Sequence, residues 1–166
     1  MIGLLDNRES LSPPDELEAI TGIKTGNSQA PDDPTLTRLL PNFYRPEDDS
    51  DDHSDERLGA ESAEALNAAL RSLHEPAIIE AKRAAAQRLL DTVPGGGGRF
   101  ELTQPDAEAW VAAVNDIRLA LGVLLQIGPD GAQRLPAEDP MSPHYNVYQW
   151  LTVLQEYLVL ALMGSR

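Results

Sequence analysis

Residues 103–128 read TQPDAEAWVAAVNDIRLALGVLLQIG, and this stretch decides the fold class. Trp110, Val114, Ile117, Leu121 and Leu124 stand four, three, four and three residues apart, which lays one apolar stripe along a helix ending near Gly128. Thr103, followed by Pro105 and by Asp106 three residues on, has the form of a helix cap, with the acid near the positive end of the dipole. A stripe of that length needs a second long helix to cover it. Pro143 to Met163 supplies one: between Val147 and Met163 only Gln149, Thr152, Gln155 and Glu156 are polar, so this segment reads as a central, buried helix ended by Gly164.

Working upstream, Leu66, Leu70 and Leu73 recur at four and three residues, predicting a helix from Glu61 to Leu73 with one apolar face. Pro76 lacks an amide proton and fits the first turn of a new helix, which runs to about Asp91 with Ile78, Ile79, Ala85, Leu89 and Leu90 toward the core. Val93-Pro94 and Gly95 to Gly98 break that helix, and Arg99-Phe100-Glu101-Leu102 alternates as a short strand would. Earlier still, Ser12 to Glu16 precedes Leu17, Ala19 and Ile20 as the start of one or two helical turns ending near Gly22. Asp33-Pro34-Thr35 opens a short helix carrying Leu36, Leu39 and Leu40, which Pro41 stops. The expected architecture is a mainly α, small helical domain with two long packed C-terminal helices and at most one or two short strands. Residues 1–46 form short helices on the core, 47–60 an acidic disordered linker, and 61–166 the helical core.

The 166 residues include 27 acidic and 13 basic side chains, for a net charge of −14, and 42% of them are apolar. That is enough apolar matter for one core. Half of the net charge lies in Glu47 to Glu56, where seven acids stand without a Lys or Arg. Such a run cannot recover its ordering entropy by burial, which is why it reads as a solvated linker. An acidic tether for a basic partner is the sharper reading; a calcium loop is weak, since Asp49, Asp51 and His53 alternate but no Gly follows at the sixth position. Phe43 and Tyr44, just ahead of this run, read as anchors into the core or as exposed recognition aromatics. Phe43, Tyr44, Asp48, Asp49, Asp51 and Asp52 are therefore the candidate partner contacts.

Catalytic and ligand chemistry finds little footing. There is no cysteine, so disulfides, thiolate metal sites and cysteine nucleophiles are excluded. Thr21 to Gly26 lacks the Gly-Lys pair of a phosphate loop, and Gly95 to Gly98 lacks the helix start and Lys that phosphate binding requires. His53, His74 and His144 show no ligand spacing, and no Gly-x-Ser-x-Gly elbow is present. No cofactor or metal is expected. Glu156, flanked by Gln155, Tyr157 and Leu158, is expected to be partly buried and to pair with Arg118 between the long helices, fixing register rather than catalysing. A hydrolase or transferase using Glu156 and Arg118 is the competing enzyme reading. Arg71, Lys82, Arg83 and Arg88 are the one basic concentration, interspersed with Glu75 and Glu80, so autonomous DNA binding is disfavoured against a protein partner with a basic surface. Neither a secretion signal nor an apolar run long enough to span a bilayer is legible, and the chain reads as cytoplasmic; its oligomeric state stays open.

Four segments carry a family resemblance: LTRLLPNFY (36–44), EAKRAAAQRLL (80–90), WVAAVNDIRLALG (110–122) and VYQWLTVLQEYLVLAL (147–162). They resemble an actinobacterial family, formerly a domain of unknown function, of AosR-like oxidative-stress transcriptional regulators. The resemblance implies a cytosolic regulator of redox homeostasis that associates with a stress sigma factor, or with RNA polymerase through it, and helps to activate sulfur and cysteine metabolism genes. Family members usually carry an upstream stretch resembling a pair of strands and a helix, and Met1-Ile-Gly-Leu-Leu resembles the later part of that helix, so the chain is expected to be N-terminally truncated. Arg99 to Leu102 would then lack its strand partners. The family's disulfide-based sensing has no counterpart without cysteine; Met1, Met141 and Met163 are oxidisable but read as end, loop and core residues. An acidic helical adaptor unrelated to transcription is the alternative.

Overall fold

A computed structural model describes residues 1–10, 22, 25–45, 53–96, 98–128, 131, 136 and 138–164, with the side chains of 53–58 excepted. The fold is mainly α. Among the described residues the helices are α1 (Ile2–Ser10), α2 (Pro34–Leu39), α3 (His53–Thr92), α4 (Gln104–Leu124) and α5 (Ser142–Gly164). The chain divides into two compact units, one of Gly3–Glu80 and one of Ala81–Arg166 together with Met1–Ile2. The division falls inside α3, and each unit has its own core.

In the first unit, Asp33 caps α2 as its sequence predicts: the carboxylate accepts the Leu36 N–H at 2.9 Å and Pro34 fills the first turn. α2 and the residue after it contribute Leu36, Leu39 and Leu40 to a core that also holds Leu5, Ala63 and Ile79. The expected turns at Ser12–Gly22 lie outside the described residues.

α3 departs from expectation in three ways. It begins at His53, so residues 53–60 of the expected linker are helical, while 46–52 lie outside the described residues. It also passes through Pro76 as one helix of 40 residues. Proline removes one i→i−4 hydrogen bond and strands the carbonyl four residues earlier. Here that carbonyl, on Ser72, accepts the Gly26 N–H at 2.7 Å, so the break is repaired from outside the helix. Thirdly, the buried line of the first-unit half is Ala63, Asn67, Arg71, Glu75 and Ile79, while Leu66 and Leu73 are exposed. The leucine face marked by periodicity is the wrong one, because polar side chains four residues apart find partners inside.

In the second unit α4 and α5 pack on each other. Thr103 caps α4, taking the Asp106 N–H, with Asp106 in the first turn. Trp110, Ala113 and Val114 are buried, and the Trp110 Nε1–H donates to the Thr92 hydroxyl at 2.7 Å. α4 stops before Gly128: Gln126 adopts φ 53°, its N–H bonds to Val123 and that of Ile127 to Gly122, which closes a Schellman turn on a non-glycine residue. Arg99–Leu102 forms no strand; Phe100 instead sets its ring 5.7 Å from that of Trp110. Among the described residues the only β pairing is one bridge between Gly128 and Gly131. α5 is not central: Leu151 is its buried residue, while Val147, Trp150, Val153, Tyr157, Leu160 and Met163 are exposed. Met163 is thus a surface residue and not a core one.

Candidate protein-interaction site

The first unit is organised by a buried charge cluster that apolar periodicity cannot mark. Arg8 Nε donates to Glu75 Oε1 at 2.7 Å, and Arg71 Nη1 donates to Glu75 Oε2 at 2.6 Å, with all three side chains no more than 6% exposed. Each carboxylate oxygen has its own guanidinium. Two cations against one anion would be costly in a core unless the remaining donors were satisfied. They are directed at backbone and amide oxygens: Arg8 Nη2 donates to the Gln29 carbonyl, Arg71 Nη1 also to the Leu40 carbonyl at 3.2 Å, and Arg71 Nη2 to Asn42 Oδ1 at 2.9 Å.

The consequence is local rigidity in residues 40–44, which have no secondary structure of their own. Arg71 holds Leu40 and Asn42. One turn earlier on α3, Asn67 accepts the Tyr44 N–H at 2.8 Å and donates to the Tyr44 carbonyl at 2.8 Å and to the Ala63 carbonyl at 2.9 Å. The asparagine side chain thus replaces a strand neighbour for Tyr44. With the backbone fixed, Phe43 and Tyr44 remain 40% and 44% exposed, and the Phe43 ring lies 6.0 Å from His74. The expectation of anchoring is corrected: the main chain is anchored and the rings are presented. Of the other candidate contacts, Asp48, Asp49, Asp51 and Asp52 lie outside the described residues. Sequence reasoning missed Asn67, Arg71 and Glu75; the signal was their four-residue spacing on one helix face.

The expected pair of Arg118 and Glu156 does not form. Arg118 Nε donates to the Thr152 hydroxyl at 3.1 Å, Nη1 donates to Gln155 Oε1, and the guanidinium lies 5.3 Å from the centre of the Tyr148 ring. Glu156 is exposed. One residue turns a helix by about 100°, and Thr152 and Gln155, not Glu156, share the face toward α4. The register between α4 and α5 is therefore set by neutral partners of one arginine.

Three of the four residues in the basic concentration on α3 are paired within the chain. Arg71 belongs to the cluster just described, Lys82 Nζ meets Asp116 Oδ1 at 2.7 Å, and Arg88 pairs with Asp106. The Thr103 hydroxyl, followed by Arg88, holds the Asp106 carboxyl below its ordinary value of 3.8, because both interactions favour the charged form. Among the described residues, no group of three or more His, Asp or Glu side chains is placed to hold a metal ion.

The family profile described as domain of unknown function DUF2017 matches residues 1–162. The chain belongs to the DUF2017 family. Within it, this member is 70% identical over 166 residues to the protein named oxidative stress regulator AosR in Mycobacterium tuberculosis H37Rv, covering all of this chain and 75% of the relative. The AosR of Mycobacterium bovis matches to the same extent. A Mycobacterium leprae relative is 63% identical over 165 residues, or 99% of this chain and 75% of the relative. No solved structure matches. No helix of the described residues is long and apolar enough to cross a membrane.

Proposed function

We propose that this DUF2017 member is a non-enzymatic transcriptional regulator of the oxidative-stress response, acting by contact with a sigma factor or RNA polymerase. The observation that carries the reading is the fixed segment at 40–44, whose main chain is bound by Arg71 and Asn67 while the Phe43 and Tyr44 rings face solvent. Aromatic side chains held in one geometry lose little entropy on binding, and they are enriched where protein surfaces meet. The acidic run that follows directly in sequence adds attraction for a basic surface. The internal pairing of Arg71, Lys82 and Arg88 favours a protein partner over the phosphate backbone of DNA. The name of the mycobacterial relatives supports both the regulatory and the non-enzymatic reading.

A pulldown from a mycobacterial lysate against holoenzymes carrying different sigma factors tests this. The intact chain is expected to enrich polymerase with one sigma factor, and Phe43→Ser with Tyr44→Ser to lose that enrichment while keeping its helical circular dichroism. If no polymerase component is enriched, the transcriptional reading fails and the adaptor reading replaces it.

A further inference from the structure

One carboxylate in the first unit joins two stretches of chain that are distant in sequence. Arg8, on α1, donates Nε to Glu75 Oε1 at 2.7 Å, and Arg71, one turn before Glu75 on α3, donates Nη1 to Oε2 at 2.6 Å. Beyond Glu75 the two guanidiniums serve different segments. Arg8 holds the Gln29 carbonyl, whereas Arg71 holds the Leu40 carbonyl and Asn42 Oδ1, immediately before Phe43 and Tyr44.

The hold of Arg71 on Asn42 depends on Arg8. An arginine and a carboxylate pair best through two parallel hydrogen bonds, one to each oxygen. Arg71 and Glu75 share only one, because Oε1 is occupied by Arg8 and Arg71 Nη2 is turned to Asn42. Without Arg8, Oε1 becomes an acceptor without its donor beside side chains only 3% and 2% exposed. A buried carboxylate oxygen left unpaired costs more than a contact to a neutral amide returns. The Arg71 fork then turns onto both oxygens, and Asn42, which is exposed, exchanges its arginine for water. The main chain entering Phe43 and Tyr44 loses that support.

The first helix is suited to be the movable part. At nine residues it is shorter than a helix that is stable by itself, and its buried side chains are Leu5 and Arg8. Elements with few buried contacts open before the core does. We infer that α1 is a regulatory clasp on the aromatic segment. Docked, it keeps Arg8 on Glu75 and leaves Arg71 to hold residues 40–44; released, it frees Glu75 to capture Arg71, and Phe43 and Tyr44 lose their fixed presentation. The regulatory meaning rests on the contact role proposed for Phe43 and Tyr44, whereas the coupling itself does not.

Native-state amide exchange of the intact chain reads the coupling directly, because the Tyr44 N–H is bound by Asn67 Oδ1. Arg8→Met removes the donor from Oε1 and is expected to speed exchange at Tyr44 about tenfold more than at Ile79, a buried residue of α3. Arg8→Lys returns a cation to Oε1 and should keep Tyr44 within about threefold of the wild type. Unchanged exchange at Tyr44, equal acceleration at Tyr44 and Ile79, or a lysine variant that exchanges like the methionine variant would each overturn the clasp. In the pulldown, Arg8→Met is expected to lose polymerase enrichment and Arg8→Lys to retain it. If Arg8→Met releases Tyr44 while enrichment is unchanged, the coupling stands and the contact role of Phe43 and Tyr44 falls.

Discussion

Replacing Gly26 by alanine probes how a 40-residue helix accommodates an internal proline. The Gly26 N–H lies 2.7 Å from the Ser72 carbonyl that Pro76 leaves without its helical donor. A Cβ at position 26 would stand 2.8 and 2.9 Å from Cγ and Cδ of Pro76, well inside carbon–carbon contact, and the ring is tied to the helix backbone and cannot swing away. Overpacking of this kind costs about 1–3 kcal/mol. Displacing Gly26 also weakens a hydrogen bond worth about 1 kcal/mol, and the stiffer unfolded chain offsets about 0.4–1 kcal/mol of the total. The expected net loss is about 2 kcal/mol, or a urea midpoint lowered by about 1 M for an m-value near 2 kcal/mol/M. The assay is urea unfolding followed by circular dichroism, repeated in a Pro76→Ala background. There the clashing ring atoms are gone and the restored backbone N–H at position 76 can donate to the Ser72 carbonyl within the helix, so Gly26→Ala should cost less than about 0.5 kcal/mol. Equal losses in the two backgrounds would refute the coupling of Gly26 to Pro76.

Further expectations concern the buried charges and the helix ends. Glu75→Ala leaves Arg8 and Arg71 facing each other without their anion and should cost about 3–5 kcal/mol in chemical denaturation; a loss below about 1 kcal/mol would contradict the burial of the cluster. Because the Asp106 carboxyl titrates below its ordinary 3.8 in the folded chain, its stabilising effect is present above that value and is lost as the pH falls through it and below. Thermal melts from about pH 6 to about pH 3 should therefore show a shallower acid decline for Asp106→Asn than for the wild type. Gln126→Gly removes a side chain from the left-handed conformation at φ 53° and should stabilise the chain by about 0.5–1 kcal/mol, read as a raised melting temperature.

Local signals are legible in the sequence. Asp33 before Pro34 and Thr103 three residues before Asp106 announce α2 and α4, because a cap is a bond between a side chain and a backbone group a few positions away. Trp110 and Val114 are placed in a core by their spacing for the same reason: one helix face is a local property. Pro76 misleads because its missing hydrogen bond is repaired by Gly26, fifty residues upstream. Leu66 and Leu73 mislead because hydrophobic periodicity ranks faces by apolarity, whereas Asn67, Arg71 and Glu75 are buried by partners that periodicity does not register.

The candidate site shows the same divide. Phe43 and Tyr44 stand out in the sequence as aromatics beside an acidic run, but their presentation depends on Arg71 and Asn67 binding the main chain beneath them. The sequence pairs Arg118 with Glu156, and one residue of helical rotation gives it Thr152 and Gln155 instead.

The sequence by itself determined a mainly α chain, two well-capped helices, an excess of acid and the absence of thiol chemistry, since composition, caps and apolar spacing act within a few residues. The tertiary structure alone decided which face of α3 is buried and that α5 keeps an apolar face in solvent. Both depend on free energies set by distant neighbours: a buried arginine needs its glutamate and carbonyls, and an apolar helix is a core helix only where other elements surround it.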